Sequence, residues 1–524
     1  MTTAPPGTGD AALDGAVRVD GVTGVAEVPG VDKLPTGIPG FDHMAMGGLP
    51  AGRTTLVSGA AGSAKTVFAA HFLAAGIALD EPGVFVTFEE TPRDIARNMY
   101  GFGWDIPAWE ADGTWRFVDA SPDLDDPDVV VGDFEFSGLF ARLEHIVRSI
   151  GATRVAVDSL GAVFTRFADS GPLRTELLRL VGALRRLGVT AVVTAERVDE
   201  DGPLTRWGIE EFVADNVIVL RNQRDAETRR RTVEILKYRG AAHTKGEFPF
   251  TVMDGRGVVV LPLATGLGHV SGEGRVTAGD PRLDDMCGGG FFSDHVVLVS
   301  GATGTGKTLL VTSYLAGGVG SGERTLLFAF EESRSQLFRN ASGWGFDFAS
   351  YEENGTLRTV CRYPETLSLE DHLLAIESAI DEYGPDRIAV DSLSALERTS
   401  TAKSYREFVL GLTALAKERG VVAMMTSTAP SVFGGNPVTE GNISTITDAI
   451  ILLRYVEVYG RVHRAITVLK MRGSNHDPQI REFDIDGSGI HIGEPFRGVS
   501  GILWGHLTVD RRAEIDQLRE LFDD

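Results

Sequence analysis

An apolar, strand-like run leads into a glycine-rich loop in Val296-Val297-Leu298-Val299-Ser300-Gly301-Ala302-Thr303-Gly304-Thr305-Gly306-Lys307-Thr308. The loop has the pattern G-x-x-x-x-G-K-[ST], and a helix-like segment follows it, which is the context in which this pattern indicates a nucleotide site. Such a loop turns its backbone N–H groups toward a phosphate chain, and the helix adds the positive end of its dipole. We therefore predict an ATP-binding strand, loop and helix here.

The contacts with ATP and Mg²⁺ are assigned to six residues of this loop. Lys307 is expected to reach the β- and γ-phosphates, and Thr308 to bind Mg²⁺ through its hydroxyl. The remaining contacts are assigned to Thr303, Gly304, Thr305 and Gly306.

A second copy of the pattern, Gly59-Ala60-Ala61-Gly62-Ser63-Ala64-Lys65-Thr66, follows an earlier strand-like run. ATP is expected to contact Gly59, Gly62, Ser63, Ala64, Lys65 and Thr66, and Thr66 is also a predicted Mg²⁺ ligand. Ala64 stands where the pattern has glycine. Its methyl group is expected either to crowd the phosphates or to be tolerated if the backbone there is already helical.

The two loops belong to an internal repeat. The loops and the acidic pairs Glu89-Glu90 and Glu331-Glu332 recur 242 residues apart, and from Asp158 and Asp391 onward the spacing is 233. Two homologous domains in tandem follow. The predicted division is a flexible tail at 1–30, an N-terminal ATPase domain at 31–263, a linker at 264–275, a C-terminal domain at 276–495, and a regulatory loop and tail at 496–524.

Short Val/Ile/Leu runs alternate with longer helix-like segments in each copy. This alternation predicts an α/β fold, with a mostly parallel twisted sheet flanked by helices in each domain. The strands predicted in the first copy are Thr54–Ser58, Val84–Phe88, Arg154–Val157, Ala191–Thr194 and Val217–Leu220. Ligands of open α/β sheets bind beyond the carboxyl ends of the strands, so the polar residues there are candidates for the site.

Carboxylates follow two predicted strands of each copy. Asp158 and Asp391 each end an apolar strand and are predicted to complete the Mg²⁺ shell beside the loop threonine. Glu89-Glu90 and Glu331-Glu332 are candidate catalytic residues, because one carboxylate can deprotonate a nucleophile while its neighbour orients it. The alternative for these pairs is an acid-rich helix N-terminus, and both interpretations can hold together.

A cationic cluster recurs downstream of each loop. It comprises Lys237, Tyr238, Arg239 and His243 in the first copy, and Lys470, Met471, Arg472 and His476 in the second. Cations fixed at the end of a strand can neutralise the γ-phosphate bound by a neighbouring subunit, as an arginine finger does in trans. A surface charge cluster is the alternative.

Composition narrows the class of protein. The chain has 524 residues, 43% of them hydrophobic, and a formal net charge of −23, which argues against broad binding to nucleic acid. No apolar run is long enough to cross a membrane, and the first residues do not resemble a signal peptide. The two cysteines, Cys287 and Cys361, form no disulfide framework, so we expect a soluble, cytoplasmic protein.

Several longer motifs together resemble the KaiC family of clock ATPases. They are Glu89-Glu90-Thr91-Pro92, Asp119-Ala120-Ser121-Pro122, Met286-Cys287-Gly288-Gly289-Gly290-Phe291-Phe292 and Phe330-Glu331-Glu332-Ser333-Arg334. The resemblance implies a RecA-like fold in each half and a homohexameric double ring with ATP between subunits. It also implies slow ATP hydrolysis in the N-terminal ring, and Ser/Thr autophosphorylation and dephosphorylation in the C-terminal ring, in circadian-type timing or signalling.

The resemblance also assigns roles to particular residues. It implies that Ser444 and Thr445 are phosphorylated and that Glu331 is the general base and a ligand of Mg²⁺. It places Trp344, Arg464 and Ser474 among the ATP contacts. At the repeat spacing the first domain has Glu211 and Phe212 in place of the two hydroxyls, so only the second domain offers this acceptor.

Partners follow from the resemblance as well. In the family a KaiB-like protein binds near the region that resembles the loop Pro122–Asp133 of the first domain. The segment Phe496–Asp510 differs from the family's regulatory loop, which argues against a response to a KaiA-like protein. Two other functions stay open: a RecA-like ATPase that depends on nucleic acid, and an ATP-gated hexameric scaffold without kinase activity.

Overall fold

The computed structural model describes residues 31–120, 136–161, 170–200, 202–205, 213–225, 228–261, 272, 274–429, 440–458, 460–497, 499–500, 502 and 508–509. The predicted N-terminal tail, most of the predicted linker, the loop Pro122–Asp133 and the residues Glu211 and Phe212 lie outside this part of the chain.

The first domain is built on a nine-stranded sheet with the strand order β11-β10-β9-β8-β3-β7-β6-β4-β5. Strands β3 to β8 pair in parallel, and β9, β10 and β11 extend the sheet by antiparallel pairing. The strands are β1 (Lys33–Leu34), β2 (Leu49–Pro50), β3 (Thr54–Gly59), β4 (Gly83–Thr87), β5 (Trp115–Asp119), β6 (Arg154–Asp158), β7 (Thr190–Glu196), β8 (Asn216–Asp225), β9 (Thr228–Tyr238), β10 (Glu247–Met253) and β11 (Gly257–Val260).

Helices cover both faces of this sheet. Their bounds are α1 (Phe41–Met44), α2 (Lys65–Ile77), α3 (Pro92–Met99), α4 (Ile106–Asp112), α5 (Phe136–Ile150) and α6 (Ser170–Leu187). The central strands β3 and β4 are buried along their whole length, as expected for parallel strands covered on both faces. All five predicted strands are present, with individual bounds shifted by at most five residues.

The second domain repeats the architecture. Its nine-stranded sheet has the order β16-β15-β17-β18-β14-β19-β20-β21-β22. The strands are β12 (Arg275–Val276), β13 (Phe291–Phe292), β14 (Val296–Gly301), β15 (Thr325–Ala329), β16 (Leu357–Cys361), β17 (Arg387–Asp391), β18 (Val422–Thr428), β19 (Ala449–Val458), β20 (Arg461–Met471), β21 (Arg481–Asp486), β22 (Gly489–Pro495), β23 (Val499–Ser500) and β24 (Thr508–Val509).

The helices of the second domain are α7 (Pro281–Met286), α8 (Lys307–Gly320), α9 (Arg334–Gly343), α10 (Phe348–Glu353), α11 (Leu369–Tyr383), α12 (Leu393–Arg398) and α13 (Ala402–Glu418). Short 3-10 turns lie at Tyr100–Phe102, Pro364–Thr366 and Glu440–Thr445. The predicted α/β fold, with a mostly parallel sheet in each half, is therefore confirmed.

The two domains share packed surface. Val259 and Leu261 of the first domain belong to the same buried cluster as Leu369 and Leu373 of α11. Polar contacts flank this cluster: the guanidinium of Arg230 on β9 binds Glu370 at 2.8 Å and Glu407 at 2.5 Å. Within the described residues, no helix is both long and apolar enough to cross a membrane.

Candidate nucleotide-binding sites

The second phosphate loop leaves the carboxyl end of β14 and enters α8 at Lys307. The loop needs glycine at Gly301, where a Cβ atom would lie 2.6 Å from the carbonyl oxygen of Leu453. Gly306, at the N-cap of α8, has a φ of 106°, which only glycine adopts without strain. Lys307 Nζ donates to the carbonyl oxygens of Gly301 at 2.9 Å and Ala302 at 3.0 Å. The lysine is thus folded against the loop that would hold the phosphates.

A hydroxyl and a carboxylate meet beside this loop, as predicted for a Mg²⁺ site. Thr308 Oγ1 donates to Asp391 Oδ2 at 2.7 Å, and the Thr426 hydroxyl donates to the other carboxylate oxygen. Burial raises the pKa of Asp391 and lowers the pKa of Lys307. The pair fits Mg²⁺, which takes one or two protein oxygens and fills its other positions with water and phosphate.

Thr308 and Asp391 supply only part of a Mg²⁺ coordination shell. Among the described residues, no group of three or more His, Cys, Asp or Glu side chains could hold a metal ion. A cation held at Thr308 and Asp391 would therefore depend on the phosphates of the bound nucleotide.

The first site repeats the lysine contacts and one of the two threonine contacts of this geometry. Lys65 Nζ donates to the carbonyl oxygens of Gly59 at 2.8 Å and Ala60 at 3.0 Å. The Thr194 hydroxyl donates to Asp158, just as Thr426 donates to Asp391. Burial lowers the pKa of Lys65, as it does for the second lysine.

Ala64, the departure from the pattern, adopts a left-handed conformation with φ 69° and ψ 29°. In the second domain a Cβ atom on Gly306 would lie 2.9 Å from Ile485 Cδ1, on the side of the loop that faces β21. Val252 is the equivalent of Ile485, because each pairs with the residue after the glycine of its hairpin. Valine lacks the Cδ1 atom, so the Ala64 methyl group has room on the core side. The condition attached to tolerance, a helical backbone, is not met, but the room beside Val252 favours tolerance over crowding of the phosphates.

The acidic pairs follow β4 and β15, which end at Thr87 and Ala329. Strand β4 ends one residue earlier than predicted. Glu89 accepts a hydrogen bond from Ser159 Oγ at 2.9 Å, whereas Glu331 forms an ion pair with Arg398 at 2.7 Å. The first carboxylate of each pair therefore has a different partner in the two domains.

The second carboxylate of each pair is held by an asparagine of the following helix. Asn98 donates to Glu90 at 3.2 Å, and Asn340 donates to Glu332 at 3.1 Å. Burial raises the pKa of both glutamates, and the Asp158 or Asp391 carboxylate raises it further. We expected one glutamate of each pair to orient its neighbour. In the structure the second glutamate of each pair is instead positioned by an asparagine of helix α3 or α9. Thr91 and Ser333 N-cap these helices, so the helix interpretation holds as well.

The cations of the second domain and its phosphate loop lie at opposite ends of the strands, which are called the two edges of the sheet below. Lys470 pairs with Ile450, which is level with Leu298 near the start of β14, while the loop begins at Gly301. Arg472 follows the end of β20 and lies farther still from the loop. At about 3.3 Å per residue, the strand separates these cations from the loop of their own subunit by roughly 10 Å or more.

The same edge carries the predicted phosphorylation sites. Lys470 Nζ donates to the carbonyl oxygens of Ser444 at 2.8 Å and Thr447 at 2.5 Å, and Arg472 donates to that of Thr445 at 2.9 Å. Ser444 is half-buried and Thr445 is exposed. The cations and the predicted acceptor residues are thus brought together through the backbone of the acceptors.

In the first domain the corresponding cations bind corresponding atoms. Lys237 Nζ donates to the carbonyl oxygen of Ala214 at 2.7 Å, and Arg239 pairs with Asp215 at 3.4 Å. Tyr238 pairs with Asn216, level with Thr55 at the start of β3, so this cluster too lies far from its own loop.

The remaining predicted contacts divide between the two edges. Arg464 lies on the loop side, over the ring of Tyr455, whose hydroxyl lies 2.8 Å from where a Cβ atom on Gly304 would stand. Trp344 caps α9 and is half-buried. The residues that follow the cations on the far side are His243, Ser474 and His476. Their contacts with nucleotide stay predictions.

Sequence reasoning missed several residues of these sites. Arg231 is the repeat equivalent of Arg464, and its Nε donates to the Gly62 carbonyl oxygen at 3.2 Å. Asn222, the equivalent of Tyr455, donates to the same oxygen at 3.3 Å. The 233-residue spacing could have found both. Asp448 joins the cationic cluster through Lys417 at 2.9 Å and Arg472 at 3.3 Å.

The fold and its two loops define the class of protein: two tandem RecA-like ATPase domains in one chain. Comparison with known proteins agrees. The family model described as "ATPase: KaiC" matches residues 34–265 and 276–496. The chain therefore belongs to the KaiC family.

Two relatives illustrate the similarity. The chain is 57% identical over 499 residues to the circadian clock protein KaiC3 of Synechocystis sp., covering 95% of this chain and 99% of the relative. It is 50% identical over 499 residues to the circadian clock oscillator protein KaiC of Thermostichus vulcanus, covering 94% and 96%. The predicted family is confirmed.

Proposed function

We propose that this KaiC-family ATPase forms a homohexameric double ring that hydrolyses Mg-ATP slowly in the first domain and phosphorylates itself in the second. The acceptors are Ser444 and Thr445, and the enzyme acts in circadian-type timing or signalling. The observation that carries the proposal is that Lys470 and Arg472 bind the backbone of the acceptor residues at one end of the sheet, with the phosphate loop at the other end.

This separation supports transfer between subunits rather than within one subunit. Ser444 and Thr445 precede β19, whose first residue, Ala449, is level with Val297. The loop begins four residues along the strand at Gly301, so the acceptors and the loop face opposite ends of the sheet. A ring in which each subunit presents its acceptor edge to the loop of the next would bring Lys470 and Arg472 to the neighbour's phosphates.

The chemical roles of the second site follow from its residues. Lys307 binds the β- and γ-phosphates, and Mg²⁺, when bound at Thr308 and Asp391, neutralises charge on the phosphates. Glu331 accepts the proton of the attacking Ser444 or Thr445 hydroxyl. The hydroxyl oxygen bonds to the γ-phosphorus as the bond between that phosphorus and the bridging oxygen of ADP breaks. Phosphorylation adds a charge of about −1.5 to −2 at the subunit boundary, which changes the packing of the ring.

The first domain has a matching phosphate loop, Asp158 and a cationic cluster, but Glu211 and Phe212 stand where the second domain has its acceptor hydroxyls. We therefore assign it hydrolysis alone, with water in place of the hydroxyl. A KaiB-like protein on this domain stays a prediction.

Subunit complementation tests the proposal. The Lys307→Ala variant keeps both acceptors but loses the phosphate-binding lysine, whereas the Ser444→Ala, Thr445→Ala variant keeps the ATP site but lacks acceptors. Neither alone is expected to carry phosphate at these positions after incubation with Mg-ATP. Mixed and reassembled, they are expected to yield phosphate on the Lys307→Ala subunit. A mixture without phosphate, beside a phosphorylated wild type, would contradict transfer between subunits.

A further inference from the structure

The first glutamate of each acidic pair stands on an equivalent backbone in the two domains. The amide of Phe88 donates to the Asp158 carbonyl oxygen at 3.0 Å, and that of Phe330 donates to the Asp391 carbonyl oxygen at 2.8 Å. Glu89 and Glu331 are the next residues. A serine follows each aspartate, so Ser392 is placed relative to Glu331 as Ser159 is relative to Glu89.

The side chains nevertheless take different partners. Ser159 Oγ donates to Glu89 at 2.9 Å, while Ser392 Oγ is buried and, among the described residues, has no hydrogen-bond partner. Ser392 itself is 1% exposed. An unsatisfied buried hydroxyl is uncommon and costly, and here it lies where the glutamate of the first domain finds its partner.

Arg398 accounts for the difference. It ends α12, the helix that begins directly after Ser392, and its guanidinium holds Glu331 at 2.7 Å. Both members of this ion pair are largely solvent-accessible, with exposed fractions of 64% for Arg398 and 41% for Glu331. Exposed ion pairs are weak, so this contact is easily broken. At the repeat spacing the first domain has Thr165 in place of this arginine, and this residue lies outside the described part of the chain.

We propose that Glu331 has two positions: one on Arg398, which withdraws the carboxylate toward solvent, and one on Ser392, which returns it beside Asp391. Arg398 and Ser392 are then positioning residues for the base of the second domain. Ser392 directly follows the predicted magnesium ligand, so the second position brings the carboxylate closer to the reacting phosphate. In the first domain, Glu89 already occupies the position on its serine. The inference rests on Glu331 being the base.

The direct test is the crystal structure of the Arg398→Gln variant beside that of the wild type. We expect Glu331 to move within about 3 Å of Ser392 Oγ, the distance of a normal hydrogen bond. A carboxylate that stays in solvent, with the serine still unpartnered, would overturn the two-position inference. This readout does not depend on activity, so it separates the inference from the proposed kinase.

The kinetic test uses second-domain phosphate transfer. Arg398→Gln is expected to raise the rate about twofold to fivefold, since an exposed ion pair is a weak restraint. Adding Ser392→Ala is expected to remove this gain, which a merely structural arginine would not show. Arg334→Gln is the control, because Arg334, with an exposed fraction of 58%, forms its ion pair with Glu352 rather than with Glu331. A gain that survives Ser392→Ala, or one equalled by Arg334→Gln, would overturn the proposal.

Discussion

The Val252→Ile substitution tests how the first phosphate loop accommodates alanine. Ile485 Cδ1 lies 2.9 Å from where a Cβ atom on Gly306 would stand. Valine at position 252 omits that atom, and Ala64 supplies the Cβ. Restoring the atom would place two carbons well inside their normal contact distance of about 3.5 to 4.0 Å.

The expected loss of ATP affinity can be worked out from the strain energy of the overlap between these two carbon atoms. Overpacking in a core costs typically ~1–3 kcal/mol. The added atom ends a side chain that can rotate, so we take the low end, about 1 kcal/mol, as the strain that moves the loop. That energy corresponds to a roughly fivefold loss of affinity for ATP at the first site.

The assay is titration with a fluorescent ATP analogue in a Lys307→Ala background, which isolates the first site. Val252→Ile is expected to weaken binding about fivefold, as worked from the strain above. Adding Ala64→Gly is expected to restore it, since the pair then matches Gly306 and Ile485. An unchanged affinity, or a double variant as weak as the single one, would refute the argument that the Ala64 methyl group points to the core.

Three further predictions concern burial and charge. Asp448→Asn is expected to lower the free energy of unfolding of the second domain by about 2 kcal/mol, because this buried carboxylate accepts hydrogen bonds from Lys417 and Arg472. Calorimetry measures this loss. The control, Asp381→Asn at an exposed ion pair, is expected to cost under about 1 kcal/mol. Burial lowers the pKa of His71 from 6.5 to about 4, so the folded state binds fewer protons and up to about 3 kcal/mol of first-domain stability is lost as pH falls from 6.5 toward 4. Thermal unfolding across that window checks it, and a His71→Gln variant that is equally acid-sensitive would contradict it. Because burial raises the pKa of Asp391, protons are expected to compete with Mg²⁺ at the second site already above about pH 4, the ordinary range of aspartate; Mg²⁺ dependence of ATP affinity measured from pH 7 to 5 tests this, and no change would contradict it.

Much of the fold could be predicted from the sequence, because its signals are local. The phosphate loops, the aspartates that end β6 and β17, and the internal repeat all lie in short contiguous patterns. The antiparallel extension formed by β9 to β11 was not predicted, since a hairpin register depends on turns and pairing that no short apolar run encodes.

The contacts inside the site were harder to foresee. The sequence indicates that Glu331 follows a strand of the second domain, but the choice between Arg398 and Ser392 as its partner depends on three-dimensional distance. Likewise, the tolerance of Ala64 depends on Val252, which lies 188 residues away in the sequence. Burial, which shifts the pKa of Asp391, is also a property of the packed fold.

The central claim, autophosphorylation in the second domain, is tested most directly by intact and peptide mass spectrometry after incubation with Mg-ATP. The wild type is expected to carry phosphate on Ser444 or Thr445, and the Glu331→Gln, Glu332→Gln double variant is expected to carry none. ADP release by the wild type without phosphate at either residue would contradict the kinase and leave an ATPase scaffold.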